Sequence, residues 1–240
     1  MIVFSDLDRS IIYSKRFLKD DTTKLEIEIY NGENISYISK ETVELIKKII
    51  NSNYGYITRK EINENGISSF FLYDYVKKNN LIKYGTGFYA RNDWIKDDYL
   101  VFQYLYPKFI FSLYSAAYIH GLGDYNPPFI EVTGPKNYRP FSLPRNGIIV
   151  HTDTQKETYT IGIAETETIF GNKIRVYDID KTVCDFIKNR KKIDSESFVK
   201  CINLYKKRTD KNVNNLMKYA KIMEIEDKVL SLMEVVLNED

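Results

Sequence analysis

The sequence predicts an α+β protein built from two successive domains. Hydrophobic residues make up 43% of its 240 residues, a fraction typical of chains that bury a core. Helical and strand-like periods alternate between residues 39 and 178, and the period is helical from there to the end. We therefore expect a small mixed domain, followed by a larger mixed α/β domain that ends in a helical bundle.

Helix-start signals define three helices in the first domain. Ser39 is the expected N-cap of the first helix. Thr58 and Glu61 have the spacing of a capping box, in which a hydroxyl and a carboxylate each bind a free backbone N–H, and they open a short second helix. Ser68 is expected to cap a third helix that runs to about Asn79.

A glycine turn follows the third helix. Residues 81–84 and 88–91 are predicted strands joined by Gly85 and Gly87, and we expect both glycines to need positive φ. The complete order is helix, short strand, helix, helix and hairpin. This order predicts a winged helix-turn-helix over residues 39–94, used either to bind DNA or as a protein-interaction module.

The third helix has two distinct faces. The face expected to pack inward carries Phe71, Leu72, Tyr75 and Val76. The opposite face, available to base edges and phosphates, carries Ser69, Phe70, Tyr73 and Lys77. The candidate phosphate contacts are Lys77, Lys78, Lys83 and Arg91.

Basic residues are concentrated in two stretches of the chain. Residues 41–92 contain eight basic and five acidic side chains, a net charge of +3. Residues 186–221 contain eleven Lys or Arg and three acids, a net charge of +8, whereas residues 222–240 contain six acids and one Lys. We interpret the basic stretch as a solvated helix face, with a DNA contact or an acidic partner as alternatives.

The second domain, 95–240, mixes both kinds of element. The predicted helices are 97–106 and 111–120, followed by three or four more after residue 179. The predicted strands are 129–133, 147–151, 159–164 and 173–177.

The start of the chain, IVFSDLDRS, resembles the first motif of haloacid-dehalogenase-type phosphatases. In such an enzyme Asp6 would attack phosphorus, Asp8 would protonate the leaving group, and magnesium would be bound nearby. The lysine and late acidic pair of these enzymes are not found, so we interpret residues 1–38 as a non-catalytic phosphatase-like fragment. A magnesium-dependent phosphatase using Asp6 and Asp8 is the alternative function.

A second motif, IRVYDIDKTVCDF, repeats this spacing with Asp178, Asp180 and Thr182. Too few residues follow it to build a phosphatase core, so N-capping by Asp178 or Asp180 is the simpler interpretation. His120 and His151 have no Ser or Cys partner at an interpretable spacing, and we expect His120 to pack at a turn.

We expect no cofactor, metal site or membrane segment. Cys184 and Cys201 lack a C-x-x-C pair and a nearby His cluster, which predicts two buried thiols. The start lacks the basic region and long apolar stretch of a signal peptide, and the apolar run 109–122 is too short to span a bilayer. We therefore expect a cytoplasmic protein.

From about Thr42 onward the chain resembles the AbiEi family, the antitoxins of bacterial abortive-infection (type IV toxin–antitoxin) systems. The resemblance extends over about 200 residues. The similar segments are GYITRKEINENGISSFFLYDYVKKNNLIKYGTGFYAR, IFSLYSAAYIHGLGDYNPPFIEVTGPKNYRP, GNKIRVYDIDKTVCDFIKNRKKID and LMKYAKIMEIEDKVLSLMEVVL.

This resemblance implies a non-enzymatic protein with two roles. The winged helix would bind promoter DNA and repress its own operon, and the domain 95–240 would counteract a co-encoded AbiEii-like nucleotidyltransferase toxin. A winged-helix regulator whose second domain senses a small ligand is a further alternative. The DNA-contacting residues that the resemblance implies are Ser68, Ser69, Phe70, Tyr73, Lys77 and Lys78 in the third helix, with Thr86 and Arg91 at the wing.

Overall fold

The described part of the chain folds as two compact units. The computed structural model describes residues 39–123, 127–144 and 146–237. The first unit ends at Asn80 and the second begins at Leu81. Helices and strands are mixed along the chain, so the predicted α+β class is confirmed. Asp6, Asp8 and the rest of the fragment 1–38 lie outside the described residues.

The first unit is helical except for one short strand. Its elements are α1 (Lys40–Ser52), β1 (Tyr56–Thr58), α2 (Arg59–Glu64) and α3 (Ser69–Lys78). Ser39, Thr58 and Ser68 each accept a backbone N–H at the start of a helix, as predicted, and Thr58 forms the capping box with Glu61. An N-cap contributes about 1 kcal/mol, which matters for a helix as short as α2. The buried apolar side chains of this unit are Ile46, Ile50, Ile57, Ile62, Ile67, Leu72 and Tyr75.

The second unit opens with a hairpin that packs on the following helix. These elements are β2 (Ile82–Gly85), β3 (Phe88–Ala90) and α4 (Asp98–Leu105). The Phe88 ring centre lies 5.6 Å from that of Trp94 and 5.4 Å from that of Tyr104. The Tyr104 hydroxyl also donates to the Gly87 carbonyl at 3.1 Å. The hairpin, grouped with residues 39–94 in the sequence interpretation, therefore packs on Trp94 and on Tyr104 of α4.

The two glycines of the hairpin turn have different roles. Gly87 has a φ of 79°, as predicted. The expectation of positive φ was wrong for Gly85, which lies outside that region. A Cβ at Gly85 would lie 2.6 Å from the Leu105 side chain, so a larger residue there would require the Leu105 side chain to move.

A five-stranded mixed sheet lies in the second unit. Its strands are β4 (Ile110–Phe111), β5 (Ile130–Pro135), β6 (Ile148–Asp153), β7 (Ile163–Glu167) and β8 (Lys173–Tyr177), with helices α5 (Leu113–Ile119) and α6 (Lys156–Thr160) between them. The spatial order is β6-β5-β4-β8-β7. The β5–β6 and β4–β8 pairs are parallel, and the β4–β5 and β7–β8 pairs are antiparallel. One core cluster beside this sheet includes Phe102, Phe109, Phe111, Val132 and Val176.

Two sequence assignments in this region were wrong. Phe111 was placed in a helix, but it pairs as a strand with β5 and β8, and α5 begins at Leu113. Residues 159–164 were placed in a strand, but Tyr159 lies in α6 and β7 begins only at Ile163. A two-residue strand and a five-residue helix are too short to produce a hydrophobic period, so tertiary pairing determines them.

Four further helices follow the sheet, in agreement with the predicted three or four. They are α7 (Ile179–Lys188), α8 (Ser195–Lys206), α9 (Val213–Ile222) and α10 (Glu226–Leu237). Helix α7 is buried up to Ile187 and packs against α8, α9 and α10. Burial raises the pKa of Cys184 and Cys201 to about 12, so both thiols are protonated and unreactive at neutral pH. Among the helices described, none is long and apolar enough to cross a membrane.

A glycine is required where β7 approaches the start of α7. Gly162 has a φ of 67°, and a Cβ there would lie 2.6 Å from the Cβ of Lys181. Its carbonyl accepts the Asp178 backbone N–H at 2.7 Å, which holds this backbone against α7. The dihedral angle and the close packing therefore both exclude a side chain.

We predict that Gly162→Ala destabilises the protein by about 1–3 kcal/mol more than Gly171→Ala does, because overpacking adds to the backbone strain. Gly171 is the matched control: its φ is 76°, but nothing lies within 4 Å of the position of its Cβ. Chemical denaturation of the two variants and the wild type measures the difference. Equal losses of stability would show that the contact with Lys181 is not a packing constraint.

Candidate nucleic-acid interface

The outward face of α3 carries the central group of predicted DNA contacts. The residues predicted to point inward are buried or half-buried. Phe70 and Tyr73 instead keep 39% and 45% of their surface exposed, and Lys77 is exposed one turn further on. The predicted outward face is confirmed for Phe70, Tyr73 and Lys77, whereas Ser69 is half-buried. Two aromatic rings and a cation thus lie along one accessible stripe.

The two serines at the start of α3 already have structural partners. The Ser68 Oγ accepts the Phe70 backbone N–H at 3.3 Å and so caps the helix. The Ser69 Oγ accepts a hydrogen bond from the Arg59 Nε at 3.1 Å and donates to the Asn63 Oδ1 at 3.1 Å. Ser69 therefore joins α2 to α3, a role that differs from the direct DNA contact predicted for it.

Arg59 is a residue that the sequence analysis missed. It is the first residue of α2, it is exposed, and its guanidinium is held at the first turn of α3 by Ser69. A basic residue at the start of a short helix gives no distinctive signal in a sequence. Only the hydrogen bond between residues ten positions apart shows that its charge belongs to the α3 surface.

The two lysines at the end of α3 differ in their surroundings. The Lys78 Nζ lies 2.8 Å from the Asp74 Oδ2, one turn earlier in the helix. Lys77 is exposed, and no ion pair links it to any residue that the structure describes. Because its charge is not paired within the described residues, Lys77 is the better of the two candidates for a phosphate contact. Both lysines also stabilise the helix, since cations in a last turn interact favourably with the helix dipole.

The predicted wing residues lie in the second unit, and they are not equally accessible. Thr86 is exposed in the turn, and Lys83 is exposed on β2. Arg91 directly follows β3, is half-buried, and places its Nε 3.2 Å from the Asp93 Oδ1. Thr86 and Lys83 thus present accessible side chains, whereas the Arg91 guanidinium is engaged within the protein.

The second acidic motif caps a helix. The Asp178 Oδ1 accepts the Lys181 backbone N–H at 2.7 Å, which makes Asp178 the N-cap of α7. Its Oδ2 accepts the Tyr219 hydroxyl of α9 at 2.9 Å. The Thr182 hydroxyl donates to the Asp178 carbonyl at 2.7 Å. Of the two predicted caps, Asp178 is therefore the one used, and it also ties α9 to α7.

The other acids of α7 are internal as well. The Asp180 Oδ1 accepts the Tyr205 hydroxyl at 2.8 Å and the Asn212 backbone N–H at 3.0 Å. The Lys181 Nζ donates to the Asp185 Oδ1 at 2.6 Å, and both side chains are buried. Asp180 and Asp185 thus both bind groups of the protein itself. Within the described ranges, no three His, Cys, Asp or Glu side chains form a group that could hold a metal ion.

The two histidines also have partners within the fold. His120 is the C-cap of α5, and its Nε2 donates to the Tyr177 carbonyl at 2.7 Å. Burial lowers the pKa of His120, which favours a neutral ring. The His151 Nε2 lies 2.6 Å from the Oε1 of buried Glu131, whose Oε2 accepts the Tyr114 backbone N–H at 3.1 Å. His120 thus packs at a turn, as predicted.

A mycobacterial protein has a similar fold. The crystal structure of the RV2827C protein from Mycobacterium tuberculosis superposes with a TM-score of 0.50 at 14% sequence identity, over 77% of this chain and 72% of that one. No protein-family model matches the chain, and no curated protein matches it. At this identity the similarity concerns the fold and carries no function.

Asp180, one of the buried acids of α7, predicts a pH dependence of stability. Burial raises the pKa of Asp180 above its usual range. The folded chain then binds this proton more tightly than the unfolded chain does. The contribution of Asp180 to the free energy of unfolding is therefore fully present below the unfolded pKa of about 3.9, and is lost as the pH rises through the folded-state pKa. We predict that the wild type becomes less stable, relative to the Asp180→Asn variant, as the pH rises through the folded-state pKa of Asp180.

Urea denaturation of the wild type and of Asp180→Asn, from below the unfolded pKa of about 3.9 to neutral pH, measures this difference in stability. Asp210→Asn is a control of opposite sign, because the hydrogen bond from Arg208 lowers the pKa of Asp210. The stabilising contribution of Asp210 is lost as the pH falls. A difference between the wild type and Asp180→Asn that stays constant with pH would contradict the assignment.

Proposed function

We propose that this chain is a DNA-binding antitoxin and transcriptional autorepressor of a bacterial abortive-infection toxin–antitoxin operon. Its partners are the promoter DNA of its own operon and a co-encoded AbiEii-like nucleotidyltransferase toxin. The proposal assigns a winged helix-turn-helix to residues 39–94 and a helical bundle to α7–α10. The observation that carries it is the outward face of α3, with its exposed aromatic rings and its lysine.

The chemistry of that face supports DNA as the ligand. A recognition helix in the major groove needs apolar groups for thymine methyls, donors for base edges and cations for phosphates. Phe70 and Tyr73 supply exposed apolar surface, and Lys77 supplies a cation. Arg59 belongs to α2, but its hydrogen bond to Ser69 adds a second cation beside the opposite end of α3.

The order of elements supports the winged-helix assignment. Helices α1, α2 and α3 precede the β2–β3 hairpin, and the chain turns between α2 and α3 at Gly66, which has a φ of 71°. The Tyr104 hydroxyl fixes the hairpin turn on α4. The antitoxin part of the proposal rests on the resemblance to the AbiEi family, which extends through the second unit to α10.

We predict that Lys77→Ala weakens binding to DNA from upstream of the chain's own reading frame. The loss of one phosphate contact should reduce the slope of log affinity against log salt concentration by about one. Lys78→Ala should have a smaller effect, because Asp74 already compensates part of its charge. Fluorescence anisotropy at several salt concentrations measures both slopes.

Lys48→Ala is the control, since it removes the same charge from an exposed position on α1. The DNA and antitoxin roles are separated by the growth of cells that express the neighbouring nucleotidyltransferase-like gene. Lys77→Ala should restore growth as the wild type does, because antitoxicity is assigned to residues 95–240. Absence of DNA binding by the wild type, or an unchanged slope in the Lys77→Ala and Lys78→Ala double variant, would contradict the DNA interface. Failure of the wild type to restore growth would contradict the antitoxin role.

A further inference from the structure

We infer that Arg59 reads a guanine base in the bound DNA, and that Ser69 and Asn63 position its guanidinium to do so. The inference rests on the proposed DNA binding and deepens it, because it names a residue outside α3 and the base that this residue recognises. It reassigns Ser69 from a DNA contact to a positioning residue.

The hydrogen-bond chain fixes the direction of the guanidinium. The Ser69 hydroxyl has a single hydrogen, which it donates to the Asn63 Oδ1 at 3.1 Å. Its lone pairs are then available to the Arg59 Nε–H, which donates to Ser69 at 3.1 Å. Asn63 thus determines the hydroxyl orientation, and the hydroxyl determines the orientation of the guanidinium. All three side chains lie in the first unit, and all are outside its buried core.

This arrangement leaves the end of the guanidinium available to a ligand. Arg59 has five N–H donors, and Ser69 occupies only the one on Nε. The four donors on the two terminal nitrogens have no hydrogen-bond partner within the described part of the chain, and the side chain is exposed. Two parallel N–H groups on the terminal nitrogens are therefore accessible at the first turn of α3.

Guanine is the base that matches such a pair of donors. Its O6 and N7 are adjacent acceptors in the major groove, and a bidentate arginine is the commonest specific contact to them. Adenine places a donor beside N7, cytosine presents a donor, and thymine offers one acceptor beside a methyl group. A guanidinium has no acceptor with which to satisfy those donors.

A phosphate also accepts two hydrogen bonds from an arginine, but the geometry favours a base. Phosphate contacts supply affinity without sequence information and do not require an oriented fork. Here the Arg59 guanidinium is restricted by its hydrogen bond to Ser69, which Asn63 orients in turn, and the Arg59 side chain thereby loses conformational freedom. Although Arg59 belongs to α2, its guanidinium lies at the first turn of α3, and the first turn of a recognition helix is the part that reaches the base edges.

Selection of bound fragments from a random-sequence DNA pool tests the inference. We expect the wild type to prefer guanine at one position of its site. Arg59→Lys keeps the charge but has neither the Nε–H nor the planar fork. It should weaken that preference, because an ammonium lacks the rigid pair of parallel N–H groups, while the preferences at other positions persist. Arg59→Ala should lose the same preference and also bind more weakly.

Lys60→Ala is the matched control. Lys60 follows Arg59 on α2 and is exposed, and its Nζ lies 3.8 Å from the Glu64 Oε1. Its replacement removes the same charge and should leave the guanine preference intact. Ser69→Ala should reduce the preference in the wild-type background but not in Arg59→Ala, because its role acts only through Arg59. Circular dichroism and thermal unfolding of each variant confirm that it folds.

The outcomes separate this inference from the proposed function. An unchanged base preference in Arg59→Lys and Arg59→Ala would overturn the inference and leave DNA binding in place. A uniform loss of affinity across all sequences in Arg59→Ala, with base preference retained, would identify a phosphate contact and would also overturn it. If the wild type selects no DNA at all, the proposed DNA binding fails, and the inference fails with it.

Discussion

The buried ion pair between Lys181 and Asp185 constrains where helix α7 can lie in the second unit. The Lys181 Nζ lies 2.6 Å from the Asp185 Oδ1, and only 3% of the lysine side chain and 12% of the aspartate side chain are exposed. The same Nζ lies 4.3 Å from the centre of the Tyr177 ring. Loss of one partner from such a pair costs about 3–5 kcal/mol, because the other charge stays buried. Helix α7 must therefore lie where both charges are compensated. Asp178 and Asp180 then accept hydroxyl groups from α9 and α8, which fixes those helices around it.

The polar side chains of the two units have opposite roles. In the second unit, the acids of α7 bind groups of the protein itself. In the first unit, Ser69 and Asn63 use their hydrogen bonds to orient an exposed group, the Arg59 guanidinium. Exposed aromatic rings and an exposed lysine continue the same surface along α3. This contrast is why the first unit, rather than the acidic motif, is the candidate site.

Local signals in the sequence were sufficient for much of the first unit. Ser39, Thr58 and Ser68 act within their own helix turn, so their spacing to the next residues predicts the caps correctly. The two faces of α3 follow from helical periodicity alone. The strand at Phe111 was missed because it exists only through pairing with strands distant in the chain.

The candidate site was predicted in part for the same reason. Phe70, Tyr73 and Lys77 were identified because helical spacing places them on one face. Arg59 was missed because its relation to α3 depends on a side-chain contact across ten residues, which no periodicity encodes. The Tyr205 and Tyr219 contacts to the α7 acids span 25 and 41 residues and were equally invisible in the sequence.

The central claim is that the first unit reads DNA sequence through the start of α3. The most direct test replaces single guanines of the bound upstream fragment with 7-deazaguanine, which lacks the N7 acceptor but still pairs with cytosine. The account predicts one guanine at which this replacement weakens binding of the wild type and has no effect on Arg59→Ala. Equal sensitivity of the two proteins at every guanine, or no sensitivity at any, would contradict it.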